Sequence, residues 1–258
     1  MSYPDLKITF LGTGTSTGVP MIGCHCEVCQ SSDKKDKRLR SSILVQSAST
    51  TLVIDTTPDF RYQMLRENVD KLDAVIFTHP HKDHIAGLDD VKAYNYFLKK
   101  PMEIFANTMT EAELKREFFY VFEEKKYPGI PKVNINLISD IPFYVGDILI
   151  EPIQVYHFNM PVLGFKFNKF TYITDANRID EIEKGKIKNS DTIVLNTLRK
   201  EKHISHYSLS EAVELADSLA IPNAFFTHIS HQMGKHEEVN ESLPPKRMLA
   251  WDGLTLHI

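Results

Sequence analysis

Four metal-capable side chains within six consecutive positions constrain this chain more than any other feature. The segment reads His79-Pro80-His81-Lys82-Asp83-His84 and directly follows the apolar run AVIF at 74–77. In a tight loop the first two histidines can point the same way, while the aspartate and last histidine turn towards a second position. Imidazole nitrogen and carboxylate oxygen are ligands for Zn²⁺, Mn²⁺ and Fe²⁺. The segment therefore predicts two adjacent metal ions at the end of a buried strand. The alternative is a surface loop of hydrogen-bonded histidines, which this density and spacing disfavour.

The apolar runs along the chain predict a layered α/β fold. Short β-rich runs bounded by Gly, Pro, Ser or Asp occur at 6–12, 42–47, 51–56, 74–79, 132–138, 147–157, 164–168, 170–175 and 223–228. Helical spacing occurs at 60–69, at 111–126 with Thr110 as N-cap, and at 208–219 with a capping box of Ser208 and Glu211. Two strand-rich halves, each followed by helices, suggest two face-to-face sheets with helices outside. No linker separates the halves, so we expect one domain over 1–258.

Charge and composition exclude several function classes. The net charge of −4 creates no field that would gather polyanions, which argues against nucleic acid as a partner. No run approaches the roughly 18 apolar residues that a membrane span needs. Pro4 and Asp5 stand where a signal peptide needs an apolar core. We therefore expect a cytoplasmic protein with no membrane partner.

The cysteines form a second candidate metal site. Cys24, Cys26 and Cys29 are the only cysteines of the chain and lie within six positions. An odd count in so tight a cluster does not fit a disulfide framework. Metal binding is the favoured interpretation, and free buried or redox-active thiols are the alternative.

The histidine segment resembles a known signature. THPHKDHIAGLDD at 78–90 is similar to the HxHxDH motif of the metallo-β-lactamase superfamily, whose fold is an αββα sandwich with a two-metal site along one edge of the sheets. The resemblance implies that His79 and His81 bind the first ion, and that Asp83 and His84 bind the second. Zn, Mn or Fe would occupy such a site.

The same superfamily has a later histidine, a bridging aspartate and a last histidine, each at a strand end. This sequence supplies His157, Asp175 and His228 in the required order. Alone, each would be read as a structural histidine or a turn aspartate. The resemblance thus implies one ion on His79, His81 and His157, a second on Asp83, His84 and His228, and Asp175 bridging them.

A narrower resemblance covers most of the chain. The PhnP-like phosphodiesterases, which act on ribosyl cyclic phosphates and related esters, are similar in GTGTSTGVP (12–20), GCHCEVC (23–29), RSS (40–42), the HIAGLDD ending and ISHQ. In that group a Cys-x-Cys-x-x-Cys cluster and a histidine three residues after the last metal histidine hold a structural zinc. The resemblance implies such a site made of Cys24, Cys26, Cys29 and His231, with His25 as an alternative fourth ligand.

Other residues are expected to assist. His206 resembles the histidine that ribonuclease Z and PhnP-like enzymes place over the scissile phosphate, where it can stabilise charge or protonate a leaving oxygen. The alternative is a structural role at the start of the helix near Ser208. His203 has no counterpart in the resemblance. Asp83 could also orient the attacking hydroxide. Asp55 ends a predicted strand and either accepts a hydrogen bond from a metal ligand or closes a plain turn. His236 is expected at the surface.

These features predict a metal-dependent phosphodiesterase that acts on small cyclic phosphates or nucleotides through a hydroxide activated by two metals. The partner would be a small-molecule phosphodiester, and a homodimer is implied by the resemblance alone. Three alternatives stay open: a ribonuclease Z-like RNA endonuclease, a lactone or thioester hydrolase, and a non-catalytic metal-binding scaffold.

Overall fold

Apolar runs form two sheets of seven strands each in the computed structural model, which describes residues 4–123 and 127–258. The first six strands are β1 Lys7–Gly12, β2 Ser42–Gln46, β3 Thr51–Ile54, β4 Ala74–Ile76, β5 Met102–Ala106 and β6 Val133–Leu137. The next seven are β7 Phe143–Val145, β8 Ile148–His157, β9 Met160–Phe167, β10 Phe170–Tyr172, β11 Thr192–Asn196, β12 Asn223–Thr227 and β13 Arg247–Leu249. The last strand, β14 Thr255–His257, pairs with β1, so the first sheet has the order β14-β1-β2-β3-β4-β5-β6. The second sheet has the order β13-β12-β11-β10-β9-β8-β7.

The helices of the described residues are mostly short. They are α1 Glu27–Gln30, α2 Phe60–Arg66, α3 Lys82–Ile85, α4 Lys92–Leu98, α5 Thr108–Glu117, α6 Phe119–Phe122, α7 Glu181–Ile187, α8 Leu209–Ser218 and α9 His236–Ser242. Turns of 3₁₀ helix occur at Lys34–Asp36, Leu88–Val91 and His231–Met233. Across the described part of the chain, no helix is both long and apolar enough to span a membrane.

Three apolar cores lie between the layers of the fold. Between the sheets, Ile8 and Ile54 of the first sheet share a core with Phe165 of the second. Helices cover the two outer faces, and Ala212 of α8 packs in the core that contains Phe226 of β12. Burying each large apolar side chain stabilises the fold by about 1.5–3 kcal/mol relative to exposure. The layer order is αββα, which confirms the fold of the metallo-β-lactamase type.

Parallel strands bring the predicted site residues to a common edge. Strands β3, β4, β5 and β6 run parallel in the first sheet, as do β10, β11, β12 and β13 in the second. Because parallel strands end on the same edge of a sheet, the loops after β3, β4, β10 and β12 can meet. Those loops carry Asp55, the HxHxDH segment, Asp175 and His228.

Several predicted boundaries were wrong, for local reasons. The strands predicted at 51–56, 74–79 and 170–175 end at Ile54, Ile76 and Tyr172, so the site residues stand on loops beyond the strands. The helix predicted at 111–126 is two helices, α5 and α6, and residues 124–126 lie outside the described residues. Its N-cap is Asn107 and not Thr110, because the Asn107 side chain accepts a hydrogen bond from the Thr110 N–H at 2.8 Å.

The predicted capping box was confirmed. Ser208 and Glu211 form a capping box at the start of α8. Strands β9 and β10 are an antiparallel hairpin whose turn contains Asn168 at φ +53°. Asparagine tolerates this left-handed region better than most residues do.

Candidate metal centre and active site

Three site residues occupy backbone conformations that residues other than glycine rarely adopt. Asp55, Asp175 and His228 have φ values of +68°, +54° and +57°. Each follows the end of a strand, and the left-handed turn redirects its side chain towards the shared edge of the sheets. Such conformations cost roughly 1–3 kcal/mol each and persist where surrounding structure enforces them. Strain at three neighbouring positions marks this edge as a functional site.

The HxHxDH segment forms a short loop and one turn of helix. His79 is fully buried, His81 is the N-cap residue of α3, and Asp83 and His84 lie in that helix. Gly87 lets the segment pack tightly, since a Cβ there would lie 2.2 Å from the Thr57 carbonyl oxygen. The glycine of the HIAGLDD motif thus allows close backbone approach.

Hydrogen bonds donated by Nδ1 fix the orientation of two rings in the HxHxDH segment. His84 Nδ1 donates to Asp55 Oδ2 at 2.7 Å, and the Thr78 hydroxyl donates to the same oxygen at 2.8 Å. Because the Thr78 proton is committed, its oxygen accepts from His79 Nδ1 at 2.9 Å. Both rings therefore direct Nε2 lone pairs into the site, as a metal requires. The expectation that Asp55 accepts a hydrogen bond from a predicted ligand is confirmed.

His157 is oriented in the same way from the other sheet. Its Nδ1 donates to the Ser205 carbonyl at 2.8 Å, which leaves Nε2 free. Its ring centroid lies 5.2 Å from that of His81 and 5.9 Å from that of His79. The two sheets therefore contribute histidines to one cluster.

Asp175 lies at the centre of the cluster. One carboxylate oxygen lies 2.9 Å from His84 Nε2, and the other lies 2.9 Å from His228 Nε2. Asp83 Oδ2 lies 3.2 Å from His84 Nε2 and 3.7 Å from His228 Nε2. Asp175 therefore lies between His84 and His228, as a ligand that bridges two ions would need to.

Sets of potential ligand atoms converge within 4.8 Å of one another. They comprise His79 with His84 and Asp175, Asp83 with His84 and His228, and His157 with Asp175 and His206. The second set matches the residues predicted for the second ion. His81 belongs to none of these sets, although its ring centroid lies 4.7 Å from that of His79. All seven predicted ligands thus share one cluster, and their coordination of ions stays a prediction.

The donor set fits divalent cations. Within this cluster, the buried nitrogens without hydrogen-bond partners are His79 Nε2, His84 Nε2, His228 Nδ1 and Nε2, and His206 Nδ1. A lone pair on His84 Nε2 facing two carboxylates is repulsive unless a cation or a proton lies between them. Burial alone would lower the pKa of both His84 and His228. The facing carboxylates outweigh it, raising the pKa of His84 well above its usual range and that of His228 to about 9.

His206 reaches the cluster as the sequence predicts. It is buried, and its Nδ1 lies 3.4 Å from Asp175 Oδ1. Its ring centroid lies 4.5 Å from that of His157 and 4.8 Å from that of His228. Burial, assisted by the charge of His228, lowers the pKa of His206 to about 3, so its ring is neutral at pH 7.

The cysteines and His231 form a separate cluster. Their potential ligand atoms lie within 4.8 Å of one another, and His231 Nδ1 lies 3.4 Å from Cys24 Sγ and 3.3 Å from Cys26 Sγ. His25 is exposed and does not belong to this set. The structure therefore favours His231 over His25 as the fourth member, and zinc binding by the cluster stays a prediction.

Sequence reasoning missed some contributors and misplaced one histidine. Thr78 and the Ser205 carbonyl fix ligand orientation, but a threonine and a main-chain carbonyl carry no distinctive sequence signal. The prediction that His236 lies at the surface was wrong, because the residue is buried. Its ring Nδ1 accepts a hydrogen bond from Arg38, and its backbone N–H donates to Asp36, so these two groups have partners. The polar partners come from a segment almost 200 positions away, so local sequence could not indicate them.

Comparisons with known proteins agree with this geometry. The family model for the beta-lactamase superfamily domain matches residues 50–229. A solved structure described as a new diphosphatase from the PhnP family is 38% identical, with a TM-score of 0.92 over 98% of each chain. The residues matched by the family model do not include the cysteines, whereas the similarity to the solved diphosphatase covers almost the whole chain.

Two curated relatives are also similar. A protein of Porphyromonas gingivalis named octanoyltransferase is 36% identical over 252 residues, which are 96% of this chain and 51% of that protein. The chain thus spans about half of that relative. A ribonuclease Z of Pyrobaculum islandicum is 22% identical, with 94% of each protein covered.

The family model covers more than half of the chain, and the similar diphosphatase structure spans nearly all of it. This chain therefore belongs to the metallo-β-lactamase superfamily and is a PhnP-like protein.

Proposed function

We propose that this hydrolase cleaves P–O bonds of small phosphodiesters, including diphosphate-linked ones, with two divalent metal ions. The observation that carries the proposal is the convergence of buried, pre-oriented imidazole nitrogens on the Asp175 carboxylate. Pre-orientation matters because catalytic groups must be held in place before the reaction.

The predicted ligands would hold the ions in two groups. His79, His81 and His157 would bind one, Asp83, His84 and His228 the other, with Asp175 between. Two such ions supply a water of near-neutral pKa and neutralise charge on a phosphoryl oxygen. Asp55, Thr78 and the Ser205 carbonyl keep three of the rings in the required tautomer.

His206 and Asp83 are the proposed groups that act on substrate and water. Asp83 is accessible enough to orient the attacking water, with its side chain 14% exposed. His206 lies beside His157 and Asp175, where an imidazole can hydrogen-bond the leaving oxygen. A bound anionic phosphate would raise the low pKa of His206 and favour its donor form.

Similarity to a diphosphatase of the PhnP family supports phosphorus chemistry over lactone or thioester hydrolysis. The ribonuclease Z relative is more distant, at 22% identity. The net charge of −4 also opposes an extended RNA partner, because several phosphate contacts would be needed. We therefore propose a small-molecule substrate.

For the cysteine cluster we propose a structural zinc. Three thiols and one imidazole in a closed set leave no open position for water, which is the usual chemistry of a structural site. The ion would tie α1 to the turn at His231–Met233, which follows the last ligand of the active site.

The test is turnover of bis(p-nitrophenyl) phosphate by protein loaded with Mn²⁺ or Zn²⁺. We expect metal-dependent p-nitrophenol release that Asp83→Ala abolishes. Asp180→Ala, which removes an exposed carboxylate, should retain full activity. Hydrolysis of a lactone or thioester panel, without turnover of phosphate esters and diphosphates, would contradict the proposal.

A further inference from the structure

The loop of residues 199–205, called the 199–205 loop below, borders the active site and is held firmly. The Leu198 N–H donates to the Tyr207 carbonyl at 3.1 Å, and the Leu209 N–H donates to the Arg199 carbonyl at 3.0 Å. Near the tip, the Ser205 carbonyl accepts from His157. The loop thus has a fixed backbone position beside a predicted metal ligand, as a binding site requires.

Arg199 is an unpaired cation in this loop. Its Nη1 donates to Gln232 Oε1 at 3.0 Å and its Nη2 to the Lys202 carbonyl at 3.3 Å, and both acceptors are neutral. Its Nε is buried without a hydrogen-bond partner. No carboxylate within residues 4–123 and 127–258 pairs with this guanidinium, whereas Arg40 and Arg247 bind Asp59 and Asp217.

An unpaired, half-buried guanidinium is costly, because burial removes water from a charge that no partner neutralises. The chain nevertheless fixes it in place with two hydrogen bonds. A planar guanidinium with free donors matches the oxygens of a phosphate. An anion from outside the chain would supply the partner that the described residues do not provide.

His203 supplies a second donor next to His206. The Ser205 N–H donates to His203 Nδ1 at 3.4 Å. A backbone N–H can only donate, so Nδ1 of the neutral ring is unprotonated and Nε2 carries the proton. The His203 ring centroid lies 5.3 Å from that of His206, which places this N–H donor one ring outside the cluster. Burial and the nearby charge of Arg199 lower the pKa of His203, which favours the neutral tautomer.

We infer that Arg199 and His203 form a subsite for a second phosphoryl group of the substrate, beside the phosphoryl group held over the histidine cluster. This inference rests on the proposed function and names its substrate class: small molecules with two phosphates joined by an anhydride oxygen. One guanidinium and one imidazole suit a single extra phosphate, and not a polymer that needs several contacts.

In the reaction, a water oxygen bonds to the phosphorus over the cluster, and the bond from that phosphorus to the anhydride oxygen breaks. Both electrons of that bond remain on the departing phosphate. The two protons of water pass from the attacking oxygen to the solvent, so a diphosphate diester and water give two phosphate monoesters as dianions. Arg199 and His203 would meet the charge that grows on the departing phosphate.

Kinetics with two substrate types test the subsite. The variants are Arg199→Gln and His203→Phe, and the control is Lys202→Ala, whose side chain is directed to Glu211 instead. For a 5′,5′-dinucleoside diphosphate we expect kcat/KM to fall about 10- to 100-fold in each variant, as for loss of a hydrogen bond to a charged group. Turnover of bis(p-nitrophenyl) phosphate should stay within about twofold, and Lys202→Ala should change neither.

Arg199→Lys keeps the charge but loses the fork, so it should restore the diphosphate rate only in part. An equal loss on both substrates would show that the residues merely support His157 and His206, and the inference would be wrong. Unchanged rates on both substrates would also contradict it.

A binding measurement separates failure of the subsite from failure of the proposed hydrolysis. Calorimetry on the metal-loaded protein compares dimethyl methylenediphosphonate, which has two phosphorus centres, with methyl methylphosphonate, which has one. We expect the former to bind at least about tenfold more tightly, and both variants to lose this preference. The preference without any phosphate turnover would sustain the subsite and refute the hydrolysis. Its absence would refute the subsite, whatever the turnover.

Discussion

The histidine cluster and the cysteine cluster are both predicted metal sites, but the protein holds their side chains in different ways. In the histidine cluster, loops from both sheets contribute buried rings, and groups such as Asp55 and the Ser205 carbonyl orient them. In the cysteine cluster, His231 makes its side-chain contacts with the thiols of Cys24 and Cys26. Groups outside the first set orient its rings, whereas the His231 ring of the second set contacts thiols of its own set, and the Met21 N–H donates to Cys29 Sγ at 3.4 Å.

The surroundings of the cysteines are correspondingly small. Among the described residues, the buried core at this cluster consists of Val19, Val28 and Cys29 itself, together with partly buried neighbours. So few buried side chains cannot stabilise residues 19–38, called the cysteine segment below, against the conformational entropy of that segment. We therefore expect loss of metal to leave the fold intact at the histidine cluster, but to loosen the protein at the cysteine cluster.

The largest effect is expected from Asp175→Ala. This change removes the carboxylate that lies 2.9 Å from both His84 and His228, so active-site metal and turnover should be lost, the latter by at least about 10³-fold. Metal analysis and the phosphodiester assay measure both. One zinc per chain should remain, since the cysteines are untouched. Retention of full activity, in the range of Asp180→Ala as control, would remove the bridging role.

Asp55→Asn should weaken the same site less. Asp55 accepts hydrogen bonds from His84 and from the Thr78 hydroxyl and N–H, and contacts no substrate. Loss of such a partner of a metal ligand typically lowers metal affinity about 10- to 100-fold. Asparagine also tolerates φ +68°, so folding should survive.

Metal titration of apoprotein, followed by activity, measures the effect on affinity. Asp180→Asn, the same change of carboxylate to amide at an exposed position outside the cluster, is the control. If Asp55→Asn binds metal as the wild type does, the histidines are held by packing and not by this carboxylate.

Much of this site could be predicted because its ligands are chemically unusual and adjacent. His79, His81, Asp83 and His84 identify themselves by density, and His157 and His228 could be placed only through a family resemblance. Arg199 and His203 could not be predicted, because the sequence around a loop arginine does not show whether a carboxylate pairs with it. Among the described residues, the fold places only neutral acceptors on this guanidinium.

The fold was predictable for a similar reason, with local limits. Apolar runs indicate strands in both sheets, yet β3 and β10 end before the predicted residues, and the chain turns into left-handed conformations beyond them at Asp55 and Asp175. The break between α5 and α6 at Phe118, with φ −113° and ψ 40°, leaves no mark in the helical pattern. Backbone strain at a site is set by tertiary contacts, which short patterns do not record.

Cys26→Ser tests the cysteine cluster and should have a smaller effect. We expect loss of one zinc per chain and a destabilisation of about 2 kcal/mol, which lowers Tm by roughly 4–8 °C in a chain of this size. Turnover should fall less than twofold, because no ligand of the histidine cluster changes. Zinc analysis and calorimetry make the measurement, with Ser32→Ala as the matched control. An unchanged zinc content and Tm would contradict a structural zinc.

The smallest predicted effect concerns what else anchors the cysteine segment. Arg38 follows the cysteines in the sequence, and its side chain is buried. It donates to the Thr13 hydroxyl, the Ala250 carbonyl and His236 Nδ1. The His236 N–H donates to Asp36 at 2.7 Å. This network joins one end of the segment to α9 without a metal.

His236 makes the network sensitive to acid. Burial and the charge of Arg38 lower its pKa from 6.5 to about 4 in the folded protein. Between these values the unfolded chain binds a proton that the folded protein does not, so acidification through this window destabilises the fold. His236→Asn keeps an acceptor for Arg38 without titrating. Relative to wild type, its free energy of unfolding should fall less between about pH 7 and about pH 5.5, by roughly 1 kcal/mol.

Asp252 provides a control with the opposite sign. Burial raises its pKa from 3.8 to about 6, so the folded protein binds the extra proton and gains stability as the pH falls through this window. Asp252→Asn should therefore lose stability more steeply with acid than wild type, while His236→Asn loses it less steeply. Urea unfolding at the two pH values measures each slope. If all three proteins respond alike, the Arg38 network does not set the acid response, and anchoring of the cysteine segment would rest more heavily on its metal.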